Sequence, residues 1–263
     1  MAELVLTDKR GKFFEIVLNR PDKRNAVNPQ MLGQLEDAVR AVNRETGVRS
    51  VFLRGEGKSF SAGIDLLSFM ELPGKYGEGW MQRMRPVTHD YQRVVTLLER
   101  LEVPVIALIH GFCLGLALEM VLACDFRIAG KGAKLGLPES RLGLVPDVGG
   151  TTRLTRLAGP ARAKELIYSG KNIDADSALA WGIVDRVVPR EELVQAGEEF
   201  AAQFDQSAPL AIAAVKRVID GMHDIDRGLQ MEAWAESQLV KTEDFQEAVQ
   251  AFMEKRPPEF KGK

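Results

Sequence analysis

Cysteine is scarce: the chain of 263 residues has two, Cys113 and Cys124, both inside its most apolar stretch. Two such positions give no disulfide framework and read as reduced core thiols, which favours a cytoplasmic protein over a secreted one. Long hydrophobic runs are also missing. None approaches the roughly 18 to 20 apolar residues that a membrane span needs. The opening MAELVLTDKRGKFF is charged and has no long apolar centre, unlike a signal peptide, and the final KGK carries no address signal. There is no excess of charge. With 35 Lys and Arg against 37 Asp and Glu, the formal net charge is −2, no electrostatic footprint for nucleic acid or an anionic membrane. Histidine is rare, and His89, His110 and His223 are too scattered for a metal site, so none is expected. His110, at a strand end, reads as a structural histidine. Three motifs are absent: G-x-G-x-x-G around Gly111 and Gly115, G-x-x-x-x-G-K-[ST], and G-x-S-x-G. Their absence argues against a dinucleotide fold, a P-loop and a serine-hydrolase elbow.

What is present is ordinary soluble composition, 45% hydrophobic and 27% charged, in a length suited to one large domain or a domain with an appendage. Short strands are predicted over 3–7 and 13–19, around a turn at 8–11. Asn28 followed by Pro29 marks a helix start, with Leu32, Leu35, Val39 and Val42 at helical spacing up to about residue 43. A strand over 49–54 precedes the loop KSFSAGIDL, where Asp65 can cap a helix over 66–71. Residues 72–79, rich in Gly and Pro, read as a mobile segment. A long helix is expected over 80–101, strands over 103–109 and 125–129, and an extended piece over 132–136. Helices dominate from Gly159: 160–168, 175–181, 190–204, 210–220, 226–240 and 243–255, with a strand at 183–188. The chain thus divides into an α/β core, residues 1–200, and a helical region, residues 201–263.

Residues 104–146 concentrate the chemistry. This apolar stretch holds Glu119 and Glu139, and Asp147 follows it directly. Removing an ionised carboxylate from water costs several kcal/mol unless it is paired or neutralised. Glu119 lies on an apparent buried helix, and Glu139 returns 20 residues later after an intervening strand. Two carboxyl groups facing one pocket suit general acid and base work. The plainer alternative pairs Glu119 with an arginine, Arg127 or Arg153. Asp147 is either a third acid or a turn residue before the helix that opens at Thr151.

NRPDKRNAVN, FSAGIDL, PVIALIHGFCLGLALEMVLACDFRIA, LGLPESRLGLVPDVGGTTRL and EAVQAFMEKRPPEF occur in this order. Together they resemble the crotonase, or enoyl-CoA hydratase/isomerase, superfamily through nearly the whole chain. The resemblance implies an α/β spiral of ββα units with a C-terminal helical trimerisation region, assembled as a trimer or hexamer. It implies an acyl-CoA thioester substrate, with coenzyme A as part of the substrate and no separate cofactor. It places two backbone N–H donors for an enolate oxygen at Ile64 and Leu116. A backbone donor tolerates any side chain, which matters because Gly115-Leu116-Ala117 stands where many relatives have three glycines. Glu119 would deprotonate water attacking Cβ, and Glu139 would protonate Cα. Coenzyme A contacts would fall on Lys23, Arg24, Ala62, Asp65, Phe252 and Lys255, although Lys23 and Lys255 also read as a solvated basic face.

The activity implied is hydration of a 2-enoyl-CoA. Asp147 opens an alternative, an enoyl- or dienoyl-CoA isomerase using Glu139 and Asp147. A non-catalytic acyl-CoA-binding scaffold is the third reading, against which the retention of both glutamates argues.

Overall fold

A computed structural model describes residues 2–80, 84–221 and 242–263. The helix expected over 226–240 and His223 lie outside the described residues, as does the side chain of Phe252. Strands β1 (Val5–Arg10) and β2 (Phe13–Leu18) form an antiparallel hairpin, then β3 (Ser50–Gly55), β4 (Val105–Ile109), β6 (Phe126–Gly130) and β9 (Arg186–Val188) add in parallel. A second sheet orders β5 (Phe112–Leu114), β7 (Lys134–Gly136) and β8 (Ile173–Asp174).

The two sheets are built turn by turn. After β3 the chain bridges the second sheet through Ser61, which pairs with Cys113; after β4 it supplies β5, and after β6 it supplies β7. One strand for each layer per turn is the expected spiral. Parallel strands covered on both faces need side chains that are apolar throughout. β4 meets that condition, with all five residues of VIALI buried. Val105, Ala107 and Ile109 join the main core, while Ile106 and Leu108 turn to the opposite face with Phe52 and Ile128. There they are covered by α7 (Leu193–Ala202), through Leu193 and Phe200.

α1 (Pro29–Val42) begins as expected: the Asn28 carboxamide oxygen accepts from the Met31 N–H at 2.9 Å. The large helix α3 (Met84–Glu99) packs Val87, Tyr91, Val94, Val95 and Leu98 into the core. α4 (Leu116–Val121) has every residue buried. α5 (Thr152–Ser169) is two helical segments broken at Gly159, where φ is 78° and ψ 164°, as expected on either side of that glycine. α6 (Ala175–Ala180), α8 (Pro209–Gly221) and α9 (Glu243–Glu254) follow the helical pattern.

Two expectations need correction. The first turn is shorter than expected: β1 continues through Arg10, and the turn is Gly11-Lys12, with Gly11 at φ 60°. Two-residue hairpin turns match the twist of the strands they join and require positive φ, which overrides the turn preference of Asp8. Residues 72–79, read as mobile, include helix α2 (Leu72–Tyr76), whose Leu72 is buried. It is tied to α3 by the Tyr76 hydroxyl donating to Asp90 at 2.7 Å and by Lys75 at 2.9 Å from the same carboxylate.

Candidate active site

Gly63 brings two stretches of backbone together. At φ 92° it lets the loop pass so close that a Cβ there would lie 2.5 Å from the Leu114 carbonyl oxygen and 3.4 Å from the Leu116 nitrogen. On one side Val27 donates to the Gly63 carbonyl and accepts from the Asp65 N–H. That alternation turns the intervening Ile64 N–H away from Val27. Leu116 is the first residue of α4, where an N–H has no helical acceptor. Neither amide donates to another described residue. Two free N–H groups therefore flank the Gly63 contact.

Glu119 stands one turn along α4 and is 2% exposed. Its Oε1 accepts from the Val148 and Gly150 N–H groups, each at 2.8 Å. The arginine pairing weighed from sequence does not occur: Arg127 pairs with Asp185, and Arg153 with Glu99. Burial raises the Glu119 carboxyl to about 7, outweighing the two amides, and the charges of Glu139 and Asp147 push the same way. A carboxyl poised there exchanges protons near neutrality.

Glu139 follows β7 and lies against the start of α4. A Cβ on Gly115, which sits at φ 53°, would be 2.7 Å from its Oε1. Its Oε2 is buried without a hydrogen-bond partner among the described residues. Desolvation raises this carboxyl too, and the charge of Asp147 adds to it, against a local backbone hydrogen bond that lowers it. Asp147 is exposed. Its carboxylate accepts from the Thr88 hydroxyl at 2.5 Å, and its carbonyl accepts from Gln92 at 2.6 Å. The site thus brings together Ile64, Leu116, Glu119 and Glu139, with Asp147 close enough to influence both glutamates.

The residues expected to meet coenzyme A are placed unevenly. Lys23 and Arg24 are exposed on one loop, Arg24 at φ 49° with its guanidinium 6.0 Å from the Phe112 ring centre. Ala62 joins that loop to the site, its N–H donating to the Arg24 carbonyl at 2.9 Å. Asp65 is already engaged, by Arg20 at 2.6 Å and by the Leu67 N–H at 3.1 Å. Lys255 is exposed just beyond α9. His110 is structural as expected, with Nε2 3.1 Å from the Gly57 carbonyl oxygen. A separate cavity of about 690 Å³ between α8 and residues 122–127 contains neither glutamate. Among the described residues no cluster of His, Cys, Asp and Glu could hold a metal ion.

The family model for enoyl-CoA hydratase/isomerase matches residues 8–263. A crotonyl-CoA hydratase from Syntrophomonas wolfei is 39% identical, covering 98% of this chain and 98% of its own. The chain belongs to the enoyl-CoA hydratase/isomerase family, within the crotonase superfamily. A short-chain-enoyl-CoA hydratase from Clostridium acetobutylicum is also 39% identical, over 96% of this chain and 95% of its own. The crystal structure of an enoyl-CoA hydratase from Bacillus anthracis superposes with a TM-score of 0.90 at 37% identity, covering 99% of this chain and all of that one. The protein is therefore an enzyme of this family's kind, with the α/β fold that the motifs implied, in a family that acts on acyl-CoA thioesters. Sequence reasoning missed the amides that seat Glu119 and the stripe of α3 that contacts the turn bearing them. The signal available for the stripe was Thr88, Gln92 and Thr96, polar residues at four-residue steps along the helix.

Proposed function

We propose that this enzyme adds water to 2-enoyl-CoA thioesters. The observation that carries the reading is Glu119, a buried carboxyl raised to about 7 and seated on two backbone amides. The N–H groups of Ile64 and Leu116 receive the thioester oxygen. Glu119 takes a proton from water as the water oxygen bonds to Cβ. The electron pair of the double bond moves into the thioester enolate. Glu139, as the carboxylic acid, then protonates Cα, giving a 3-hydroxyacyl-CoA. One proton enters Glu119 and one leaves Glu139, so their exchange resets the site. Each oxyanion donor is worth about 2.7 to 4 kcal/mol, and each acid or base about 10² to 10⁴ in rate.

The relatives from Syntrophomonas and Clostridium named as hydratases support this reading. Lys23, Arg24, Ala62 and Asp65 serve the coenzyme A moiety, and Phe252 and Lys255 reach the nucleotide of a neighbouring subunit in a trimer or hexamer. A second reading, isomerisation through Glu139 and Asp147, is favoured by the exposed Asp147 carboxylate and by a relative from Mycosarcoma maydis named an enoyl-CoA isomerase/hydratase. Assays with 2-enoyl-, 3-enoyl- and 3,5-dienoyl-CoA decide between them. For a hydratase, Glu119→Gln and Glu139→Gln each lose about 10² to 10⁴ in turnover, while Asp147→Asn changes little. Collapse of 3-enoyl-CoA or dienoyl-CoA conversion in Asp147→Asn, with no hydration of any 2-enoyl-CoA by the parent, would establish the isomerase instead.

A further inference from the structure

Glu119 owes its place to a turn that makes no covalent contact with it and is itself held from outside. The turn's Val148 and Gly150 N–H groups point to Glu119 Oε1. The Val148 carbonyl, on the same residue, accepts from Arg153 Nη1 at 3.0 Å. Arg153 is 13% exposed at its side chain, and its guanidinium is fixed by Glu99 at 2.7 and 3.2 Å and by the Thr96 hydroxyl at 3.1 Å. A planar fork held at several donors has one orientation, unlike a lysine ammonium. Gly149 completes the fit: a Cβ there would lie 2.1 Å from Arg153 Nη1. The start of the same turn is held by Thr88 and Gln92. Thr88, Gln92, Thr96 and Glu99 fall at i, i+4, i+8 and i+11 along α3, one face of the helix. That face therefore grips both ends of the turn that carries the amides.

We propose that Arg153 is a positioning residue for Glu119, acting through the Val148 carbonyl, with the Thr96 and Glu99 stripe of α3 orienting its guanidinium. The inference rests on the reading of Glu119 as the base of hydration. Arg153 acts through the turn: its guanidinium binds the Val148 carbonyl, Thr96 and Glu99, the turn fixes the two amides, and these fix the carboxylate against the attacking water. Misplacing a reacting group by about 1 Å can cost roughly 10²-fold in rate. The effect belongs to turnover, because substrate is held by other residues.

The test is a double-mutant cycle in the full-length protein, Arg153→Met with Glu119→Gln, assayed for hydration of a short 2-enoyl-CoA. Arg153→Met should lower kcat about 10²-fold, with KM within about twofold. In the Glu119→Gln background the same change should cost almost nothing further, since the group it positions is already gone. An equal loss in both backgrounds, or wild-type kcat in Arg153→Met, overturns the assignment. Near-normal turnover in Glu119→Gln alone sinks the reading of Glu119 as the base, and the positioning role with it. Should Arg153→Met fail to fold, Glu99→Gln carries the comparison: a several-fold loss of kcat that vanishes in the Glu119→Gln background supports the role, and an unchanged kcat overturns it.

Discussion

At Glu119 the same physical fact serves the chemistry and opposes stability. Its carboxyl titrates near 4.5 when unperturbed and near 7 in the fold, because burial disfavours the anion. Between those values the native protein holds a proton that the unfolded chain releases. Stability is therefore complete below about pH 4.5 and falls as pH rises through about 7, by about 3 kcal/mol from this one group. Glu119→Gln stays neutral and can still accept from the Val148 and Gly150 amides. It should raise the unfolding temperature at pH 8 relative to the parent, with the difference shrinking to nothing near pH 4.5. Calorimetry across that range checks this, and a pH-independent difference would sink it. Asp147 was readable only as a choice between turn residue and third acid. The structure assigns its hydrogen bonds, to Thr88 and Gln92, while its charge still reaches both glutamates.

Among the elements, the loop of Gly63 and the start of α4 depend on each other. Ile64 is bridged to Val27 on one side, and Leu116 opens a helix whose six residues are all buried. Gly63→Ala would force a Cβ to 2.5 Å from the Leu114 oxygen at a φ of 92° that an L side chain rarely adopts. The loop must move, and the two donors separate. Turnover should fall about 10² to 10³-fold, the cost of one lost oxyanion donor. Kinetics of the variant, set beside its thermal unfolding, separate this from general damage; turnover near the parent value would remove Ile64 from the site. Helix α1 was legible because its cap and its apolar stripe are local signals. Helix α2 was not, because its Gly and Pro content argues for irregular chain, and what holds it is tertiary: the burial of Leu72 and the contacts of Tyr76 and Lys75 with Asp90.

For the whole molecule, the described part of the C-terminal region joins the core through a buried ion pair. Lys216 of α8 is 2.6 Å from Asp125, at the entrance to β6, and their side chains are 8% and 18% exposed. Asp125 also accepts from the Val105 N–H at 2.7 Å, so one carboxylate ties α8 to two parallel strands. Removing one partner of a buried pair strands the other charge in a poor solvent. Lys216→Met should destabilise the protein by about 3 to 5 kcal/mol, most at neutral pH and less in acid where Asp125 is protonated. A urea titration at pH 7 and pH 4 checks both size and trend. A loss of less than 1 kcal/mol at pH 7 would mean that water reaches the pair and screens it.

Local order, the strand and helix periodicities and the five motifs lie in the sequence, so the α/β class, the family and the candidate acids Glu119 and Glu139 follow from it alone. Binary pattern works over a few residues, and the motif order is linear. Tertiary structure alone decided what surrounds those acids. The partners of Glu119 are amides 29 and 31 residues away, and a backbone N–H carries no mark in a sequence of side chains. The arginines that seemed available to it, Arg127 and Arg153, are taken by Asp185 and Glu99, acids 58 and 54 residues distant. Which carboxylate keeps its charge and which is pushed towards neutrality is set by burial and by those distant pairings, and both exist only once the two sheets have closed around α4.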